Sequence, residues 1–494
     1  MTPPLSSDTF PEEPAPVAEP TATEAAAAPA PAAASAPSRP PRQNRRARDD
    51  RRPRDGRRRH ALRNAALPGE PIDALRAIPV PPDDPDPTLV TLAESQHPLR
   101  PEMILPEARR VLERLNAFGY TAYLCGGGVR DLWLGKTPKD FDVVTNARPE
   151  QVRRVFRNCR VIGRRFRLAH VIFGDTIIET ATFRALQDTL PDDAETVPVP
   201  SRRNHDIPDP TFATRDGVIV RDNQYGTPQQ DARRRDFTVN GLFYDLRTRR
   251  ILDYVGGIPD LQARILRVIG DPPVRYHEDP VRMVRAVRIS AQLDFAIEPT
   301  AEAAIRACAP ELANASHERM HEEMLKIFNC GHAADVFRRA WDLGLFQVIY
   351  PEFSDFLRAH SSACQNALRA LAQFDIWKQN GLRPAPALQY ALLFGPCIET
   401  LAASRAGNLP LFEATMQAVS AVIRSPGQLV LIPKSILFDV ERIMGMQIQM
   451  AKSTPASRYG ARLRTRSDFP DALVYLKFAT AAHPDRKPLL DSWI

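Results

Sequence analysis

The chain reads as an α+β head followed by an all-helical body, with a disordered arm in front, and three observations point that way. Short runs of strand-like composition, among them "TAYLC", "DFDVVT", "LAHVIFG" and "TIIETATFR", crowd into residues 121–184 and are interleaved with brief helical patterns. From about residue 277 to the end, 3.6-residue apolar periodicity dominates, broken by helix-stopping signals such as "ANAS" and "SPGQ". Residues 1–92 are rich in Pro and Ala and poor in aromatic side chains, so they bury too little apolar surface to offset the entropy of ordering. Strands gathered in one part and helices in the other mark an α+β head of about 150 residues on a helical body.

Taken in order, "PEMILPEARRVLERLNAFG" predicts a helix ended by Gly119, and "TAYLC" a short buried strand running into three consecutive glycines. "VRDLWLG" suits a short helix, "DFDVVT" a strand, and "RPEQVRRVF" a helix with Pro near its start. Residues 186–216 read as a long loop, after which "RRRDFTVNGLFYDL" and "RRILDYVGG" resume strand-like alternation. The expected division is an arm at 1–92, a head at 93–250, a neck at 251–310, a helical body at 311–430 and a basic helical tail at 431–494.

With 494 residues, 43% of them hydrophobic, the chain supports two to four cores. It shows neither an apolar run of 18 residues nor the basic start and apolar core of a signal peptide, so a soluble cytoplasmic protein is expected. Six cysteines spaced more than 20 residues apart, with no CxxC pair, fit reduced thiols filling cores. The net charge of +7 is unevenly spread: residues 38–64 carry 12 Arg against 3 Asp, and residues 1–37 carry five acids and no Lys or Arg. Arginine at that density favours phosphate backbones, and the plainer reading is a solvated charge run.

The stretch "LCGGGVRDLWLGKTPKDFDVVTN" holds the chemistry. A Walker A loop would need glycine where Arg130 stands, and a dinucleotide fingerprint would need it at Asp131. What survives is a glycine turn between a strand and a helix, where backbone N–H groups can approach a phosphate without a β-carbon in the way. Asp140 and Asp142, two apart on the expected strand, project from one face while Phe141 points to the buried side. Two adjacent carboxylates repel unless a cation lies between them, and Mg²⁺ takes such ligands together with substrate phosphates. A solvent-facing Asp pair on an edge strand is the plainer alternative.

These residues, with "RRRDFTVNGLFYD" at 233–245, "YVGGIPDLQARILRVIGDP" at 254–272 and "YHEDPVRMVRAVRISAQL" at 276–293, resemble the superfamily of bacterial poly(A) polymerases and CCA-adding tRNA nucleotidyltransferases over roughly residues 95–345. The resemblance implies a polymerase-β-like nucleotidyltransferase head with a mixed sheet, followed by helical neck, body and tail. It also implies two Mg²⁺ ions, replaceable by Mn²⁺, held by Asp140 and Asp142, with Asp236 and Glu179 as further catalytic carboxylates. Gly127, Arg130, Arg235, Asp279, Arg282 and Arg285 match nucleotide contacts, Asp279 and Arg282 reading the amine and ring nitrogen shared by adenine and cytosine. On the residues alone, Asp279, Arg282 and Arg285 fall at successive i+3 spacings of a helix, which a salt-bridged surface helix would also show.

Arg157, Arg160, Arg164, Arg165 and Arg167 in "RNCRVIGRRFRLAHV" resemble the poly(A) branch, and arginines suit single-stranded RNA 3′ ends. The resemblance implies ATP as substrate, addition of AMP to RNA, RNA binding by the helical body at 311–430 and the basic tail at 431–494, and RNA-decay proteins as partners through the basic arm, with a CCA-adding enzyme as the alternative. "HERMH" at 317–321 also fits a zinc-hydrolase pattern with His317 and His321 as ligands, against a helix capped by Ser316 with Met320, Met324, Ile327 and Phe328 as its apolar stripe and an Arg319–Glu323 pair. An RNA-binding protein with an inactive head is a third reading, opposed by the intact Asp140, Asp142 and Asp236.

Overall fold

The computed structural model describes residues 88–163, 167–185 and 224–494, and the backbone alone of 212–215 and 218–222. The expected disordered arm lies outside the described residues up to position 87. Its last residues do not follow the expectation: Val90–Leu92 form strand β1 of the head, so the head begins before residue 93.

Helix α1 (Pro106–Ala117) leads into β2 (Ala122–Cys125), the glycine turn, α2 (Gly127–Trp133), β3 (Val143–Thr145) and α3 (Pro149–Val155). Then come β4 (Cys159–Ile162), β5 (Leu168–Phe173), β6 (Thr176–Thr182) and a hairpin of β7 (Phe212–Arg215) and β8 (Val218–Asp222). The hairpin takes up part of the segment expected as loop; residues 186–211 lie outside the described residues. Helix α4 (Pro228–Arg234), β9 (Phe243–Asp245) and β10 (Arg250–Asp253) complete the head. "RRRD" is therefore a helix end and not part of a strand, because Thr227 caps α4 by accepting from Gln230 N. Because β10 pairs with β9, the boundary expected at 250 cuts through the sheet and moves beyond Asp253.

Eight strands form one sheet in the order β1-β10-β9-β2-β3-β6-β5-β4. β3 and β6 run parallel and every other neighbouring pair is antiparallel, which makes the sheet mixed. Helix α1 buries Ala108, Val111, Leu112 and Leu115 and packs on β2, β3 and β6. Cys125, Val144, Phe183 and Phe243 form a cluster with Ala232 of α4, so α4 is pinned beside the end of β2 where the glycine turn begins.

The rest is helical apart from the two-residue strands β11 (Ile265–Leu266) and β12 (Ala296–Ile297). The neck comprises α5 (Gly257–Ala263), α6 (Pro272–Glu278), α7 (Val281–Leu293) and α8 (Pro299–Cys308). The body runs through α9 (His317–Phe328), α10 (Ala333–Asp342), α11 (Leu345–Ile349), α12 (Pro351–Ala359), α13 (Ser361–Gln379), α14 (Pro386–Arg405) and α15 (Leu411–Ile423). The tail holds α16 (Lys434–Ala451), α17 (Arg458–Arg464), α18 (Phe469–Ala482) and α19 (Lys487–Trp493), which share a core of Met446, Met450, Leu463, Phe469, Leu476, Leu490 and Trp493. All six cysteines are free thiols, five of them buried. Among the described residues, no helix is long and apolar enough to cross a membrane.

Candidate active site

The glycine turn and the Asp-Phe-Asp segment touch. Gly126 has a φ of +68°, and a β-carbon there would stand 2.9 Å from Arg235 Nη1, so both conformation and space demand glycine. A β-carbon on Gly128 would lie 3.5 Å from the Asp140 carbonyl oxygen. Cys125 N donates to the Asp142 carbonyl at 3.1 Å, continuing the β2–β3 ladder one step past the last strand residue. Asp140 and Asp142 therefore stand in extended chain just before β3 and not within it, and Phe141 is half-buried where a buried side chain is expected.

Asp140 is exposed beside Lys139 at 3.6 Å, whereas Asp142 is largely covered. β3 runs parallel to β6 with Val143 opposite Thr180, so one step back Asp142 falls beside Glu179. Burial, the Glu179 carboxylate and then Asp140 push the Asp142 carboxyl up to about 6, with Arg235 opposing. Glu179 is half-exposed and has His170 Nε2 at 3.5 Å, its partner across β5. A covered carboxylate with two further carboxylates beside it is what a divalent cation would relieve, and the oxygen donors suit Mg²⁺. Among the described residues, no group of three or more His, Cys, Asp or Glu is arranged to hold a metal by itself, so substrate oxygens and water would complete the coordination.

Asp236 belongs to a second, neutralised group. Its Oδ2 accepts from Arg285 at 2.6 and 3.1 Å, and its Oδ1 accepts from Asn240 Nδ2 at 3.0 Å. Burial alone would raise its pKa, but Arg285, Asn240 and the Phe237 N–H hold it at about 2. Asn240 Oδ1 in turn accepts from Arg130 Nη1 at 2.5 Å, while Arg130 Nε bonds Asp131 at 2.8 Å. Arg130, two residues past the turn, is thus aimed by the same network that holds Asp236. Arg235 bonds Asp231 Oδ2 at 2.9 and 3.2 Å and lies over the Phe243 ring, bracing the turn from behind.

The neck departs from the expected single helical face. Asp279 ends α6 and α7 starts only at Val281, because Pro280 between them lacks an N–H. Asp279 receives both arms of Arg319 at 2.8 Å each, Arg282 bonds Glu278 at 2.9 Å, and Arg285 reaches Asp236. Arg319 and Glu323 therefore do not pair with each other; Glu323 is buried and accepts from Arg288 at 2.5 Å, with Lys326 at 3.2 Å and Arg285 at 3.9 Å. One helix, α9, so holds the ends of two active-site chains a single turn apart. Arg275 donates to the carbonyls of Arg234 and Arg235 at 2.7 and 2.9 Å. Burial and the neighbouring Arg184, Arg275 and Arg282 push the Arg234 guanidinium down to about 10, a surplus of positive charge suited to an anion.

Of the expected RNA contacts, Arg157, Arg160 and Arg167 are exposed beside or on β4, the edge strand, with Arg167 2.9 Å from Glu150; Arg164 and Arg165 lie outside the described residues. "HERMH" forms the start of α9, capped by Ser316 as expected, with Met320, Met324, Ile327 and Phe328 buried. His321 is buried, its Nδ1 3.1 Å from Tyr390 Oη and its ring stacked on Tyr390, while His317 is exposed. The zinc reading fails on that placement, since His321 is committed to the body core. Sequence reasoning passed over Asn240, Arg234 and Arg275, and took Arg319 and Glu323 only as a pair with each other. Asn240 and Arg234 were legible in principle, standing inside "RRRDFTVN"; the Arg319 and Glu323 pairings span 35 to 40 residues, which no local spacing reveals.

The family described as "Poly A polymerase head domain" matches residues 122–267, and that described as "Probable RNA and SrmB- binding site of polymerase A" matches residues 294–357. Poly(A) polymerase I of Salmonella typhi is 38% identical over 370 residues, covering 74% of this chain and 77% of that protein. Poly(A) polymerase I of Haemophilus influenzae is 43% identical over 303 residues, covering 61% and 64%. A CCA-adding enzyme of Lactobacillus helveticus is 34% identical over 251 residues, covering 50% and 56%. With its mixed-sheet head, glycine turn, Asp-Phe-Asp and helical remainder, the chain belongs to the poly(A) polymerase family of nucleotidyltransferases.

Proposed function

We propose that this chain is a template-independent polynucleotide adenylyltransferase that transfers AMP from ATP to single-stranded RNA 3′ ends in the cytoplasm, in RNA polyadenylation and decay. The observation that carries the reading is the cluster of Asp140, Asp142 and Glu179 beside a glycine turn, in which burial and the neighbouring carboxylates raise the pKa of Asp142 despite Arg235, with Arg130 aimed beside it. The turn's N–H groups and Arg130 take the triphosphate oxygens, and Arg234 and Arg275 add positive charge behind them. Asp140 and Asp142 would hold Mg²⁺, which when bound lowers the pKa of the attacking 3′-hydroxyl and offsets charge on the phosphates. Asp236 has its charge committed to Arg285 and Asn240, so its part is to align Arg130. Asp279 and Arg282 take the adenine edge, with the Asp279 carboxylate held in orientation by the two-point grip of Arg319. The exposed Arg157, Arg160 and Arg167, with Arg164 and Arg165, are proposed to grip RNA, and the basic arm to meet RNA-decay proteins.

The second reading is CCA addition, because Asp279 and Arg282 face features that adenine and cytosine share. One assay separates the two. The purified protein is given Mg²⁺, each nucleoside triphosphate in turn, and either an unstructured RNA or a tRNA lacking its 3′ CCA. Long A-tracts on the unstructured RNA are expected; addition of only C, C and A to the tRNA would overturn the proposal.

A further inference from the structure

Among the described residues, three aromatic side chains are exposed, Phe412 at 43%, Phe438 at 57% and Tyr459 at 50%, and all three gather around α16. Phe438, Arg442 and Gly445 follow one another at i, i+4 and i+7 and so share one face of that helix. A β-carbon on Gly445 would stand 2.9 Å from Phe412 Cε2, so glycine is what lets the Phe412 ring rest on the same face. The rise of the helix puts Phe438 and Gly445 about 10 Å apart along its axis. Tyr459 opens α17, whose Leu463 packs on Met446 and Met450 of α16.

Between the rings lies a fixed pair of guanidinium groups. Arg442 sits 5.7 Å from the Phe438 ring centroid and donates to Asp468 at 3.0 Å. Arg466 donates to the same carboxylate at 2.7 and 3.0 Å and lies within electrostatic reach of Tyr459. Asp468 is buried at 8% exposure, and the two arginines hold its carboxyl at about 2 against the upward pull of burial. The carboxylate thus orients both guanidinium groups before any ligand arrives. From Lys452 to Asp468 the chain carries five cationic side chains against that one acid, and Asp439 is the acid facing Arg442 on α16, at 3.7 Å.

Aromatic rings alternating with guanidinium groups on a positively charged surface are the make-up of a single-stranded nucleic-acid site, where rings stack on bases and cations follow the backbone. A face built to dock a protein would be drier and poorer in charge at its centre. We propose that Phe412, Phe438 and Tyr459, spaced by Arg442 and Arg466, form a stacking track for the RNA strand upstream of the 3′ end being extended. The proposal rests on the RNA-substrate reading above.

The test is fluorescence anisotropy on the full chain without ATP, using an oligoadenylate and an abasic strand of equal length. Phe438→Ala with Tyr459→Ala is expected to weaken oligoadenylate binding roughly tenfold or more. The abasic strand, held by charge alone, should weaken by less than about twofold. Phe438→Trp should keep the affinity where Phe438→Leu loses it. Equal losses for both strands would overturn the proposal, as would an unchanged oligoadenylate affinity, which would mark the surface as a protein-docking face. Because no nucleotide is added, a protein that proves to add only C, C and A would fail the adenylyl-transfer reading while the track is still read from binding.

Discussion

Arg285 of the neck grips Asp236 of the head through two hydrogen bonds to one carboxylate oxygen, at 2.6 and 3.1 Å, and the same arginine faces buried Glu323 of α9 at 3.9 Å. Asp236 and Glu323 therefore share one guanidinium group, and Asp236 depends on it for charge balance, whereas Glu323 also has Arg288 and Lys326.

Replacing Arg285 with Met should cost about 3–5 kcal/mol of stability at pH 7, since it strands a buried carboxylate. The sign of the pH dependence follows from Asp236, held at about 2 against an ordinary 3.8. A depressed carboxyl contributes stability above its unfolded value and loses it as pH falls through the folded value. The gap between wild type and variant in urea unfolding should thus narrow as pH drops from 5 toward 2. A gap that stays constant across that range would show that Arg285 contributes through packing alone.

Asp142 should behave in the opposite sense. Its carboxyl is raised to about 6, so the wild-type fold is favoured below the ordinary 3.8 and loses that advantage as pH rises through 6. Asp142→Asn should then be more stable than wild type at pH 8, by roughly 1–3 kcal/mol, with no difference near pH 4, while adenylyl transfer is lost. Thermal unfolding at the two pH values checks it. Added Mg²⁺ and ATP should raise the wild-type midpoint and leave the variant's unchanged; a variant less stable than wild type at pH 8 would refute the cost that burial and the neighbouring carboxylates place on a charged Asp142.

The two glycines at the front of the turn should separate fold from function. Gly126→Ala meets a positive φ and a guanidinium 2.9 Å away, so it should cost at least about 1–2 kcal/mol and dislodge Arg235. At Gly127 the nearest neighbour to an added methyl is the movable end of Arg130 at 3.3 Å. Gly127→Ala should therefore fold nearly as wild type yet raise the KM for ATP, roughly tenfold, because the methyl stands where a phosphate approaches. Steady-state kinetics beside thermal unfolding distinguishes the two.

What was legible in the sequence is what short-range pattern can carry. The strand before the glycines, the short helix after them and the Ser316 cap of α9 follow from spacing within one turn or one strand. The carboxylate pair was legible as chemistry, but its placement just ahead of β3 was not, since where β3 starts depends on its pairing with β2 and β6. The i+3 series through Asp279 misled because Pro280 breaks the helix there, and the i+4 series from Arg319 to Glu323 misled because stronger partners wait on other elements. Asp279 and Glu323 each have a partner 35 to 40 residues away, which becomes visible only once the chain is folded.

That distant pairing gives the last prediction. Arg319 holds Asp279 with two parallel bonds of 2.8 Å, a geometry that needs the planar fork of a guanidinium group. With Asp279 fixed, the amine of an incoming base must meet an oxygen whose position is set from the body, so a smaller pyrimidine cannot draw the carboxylate toward itself. Removing the fork frees Asp279 to turn. Arg319→Ala should lower the preference for ATP over CTP, measured as the ratio of kcat/KM values, by about tenfold, a loss of about 1.4 kcal/mol in discrimination. Arg319→Lys should resemble Arg319→Ala and not wild type, because an ammonium group keeps the charge but not the two-point grip. A lysine variant with wild-type discrimination would show that charge alone, and not orientation, is what Asp279 takes from α9.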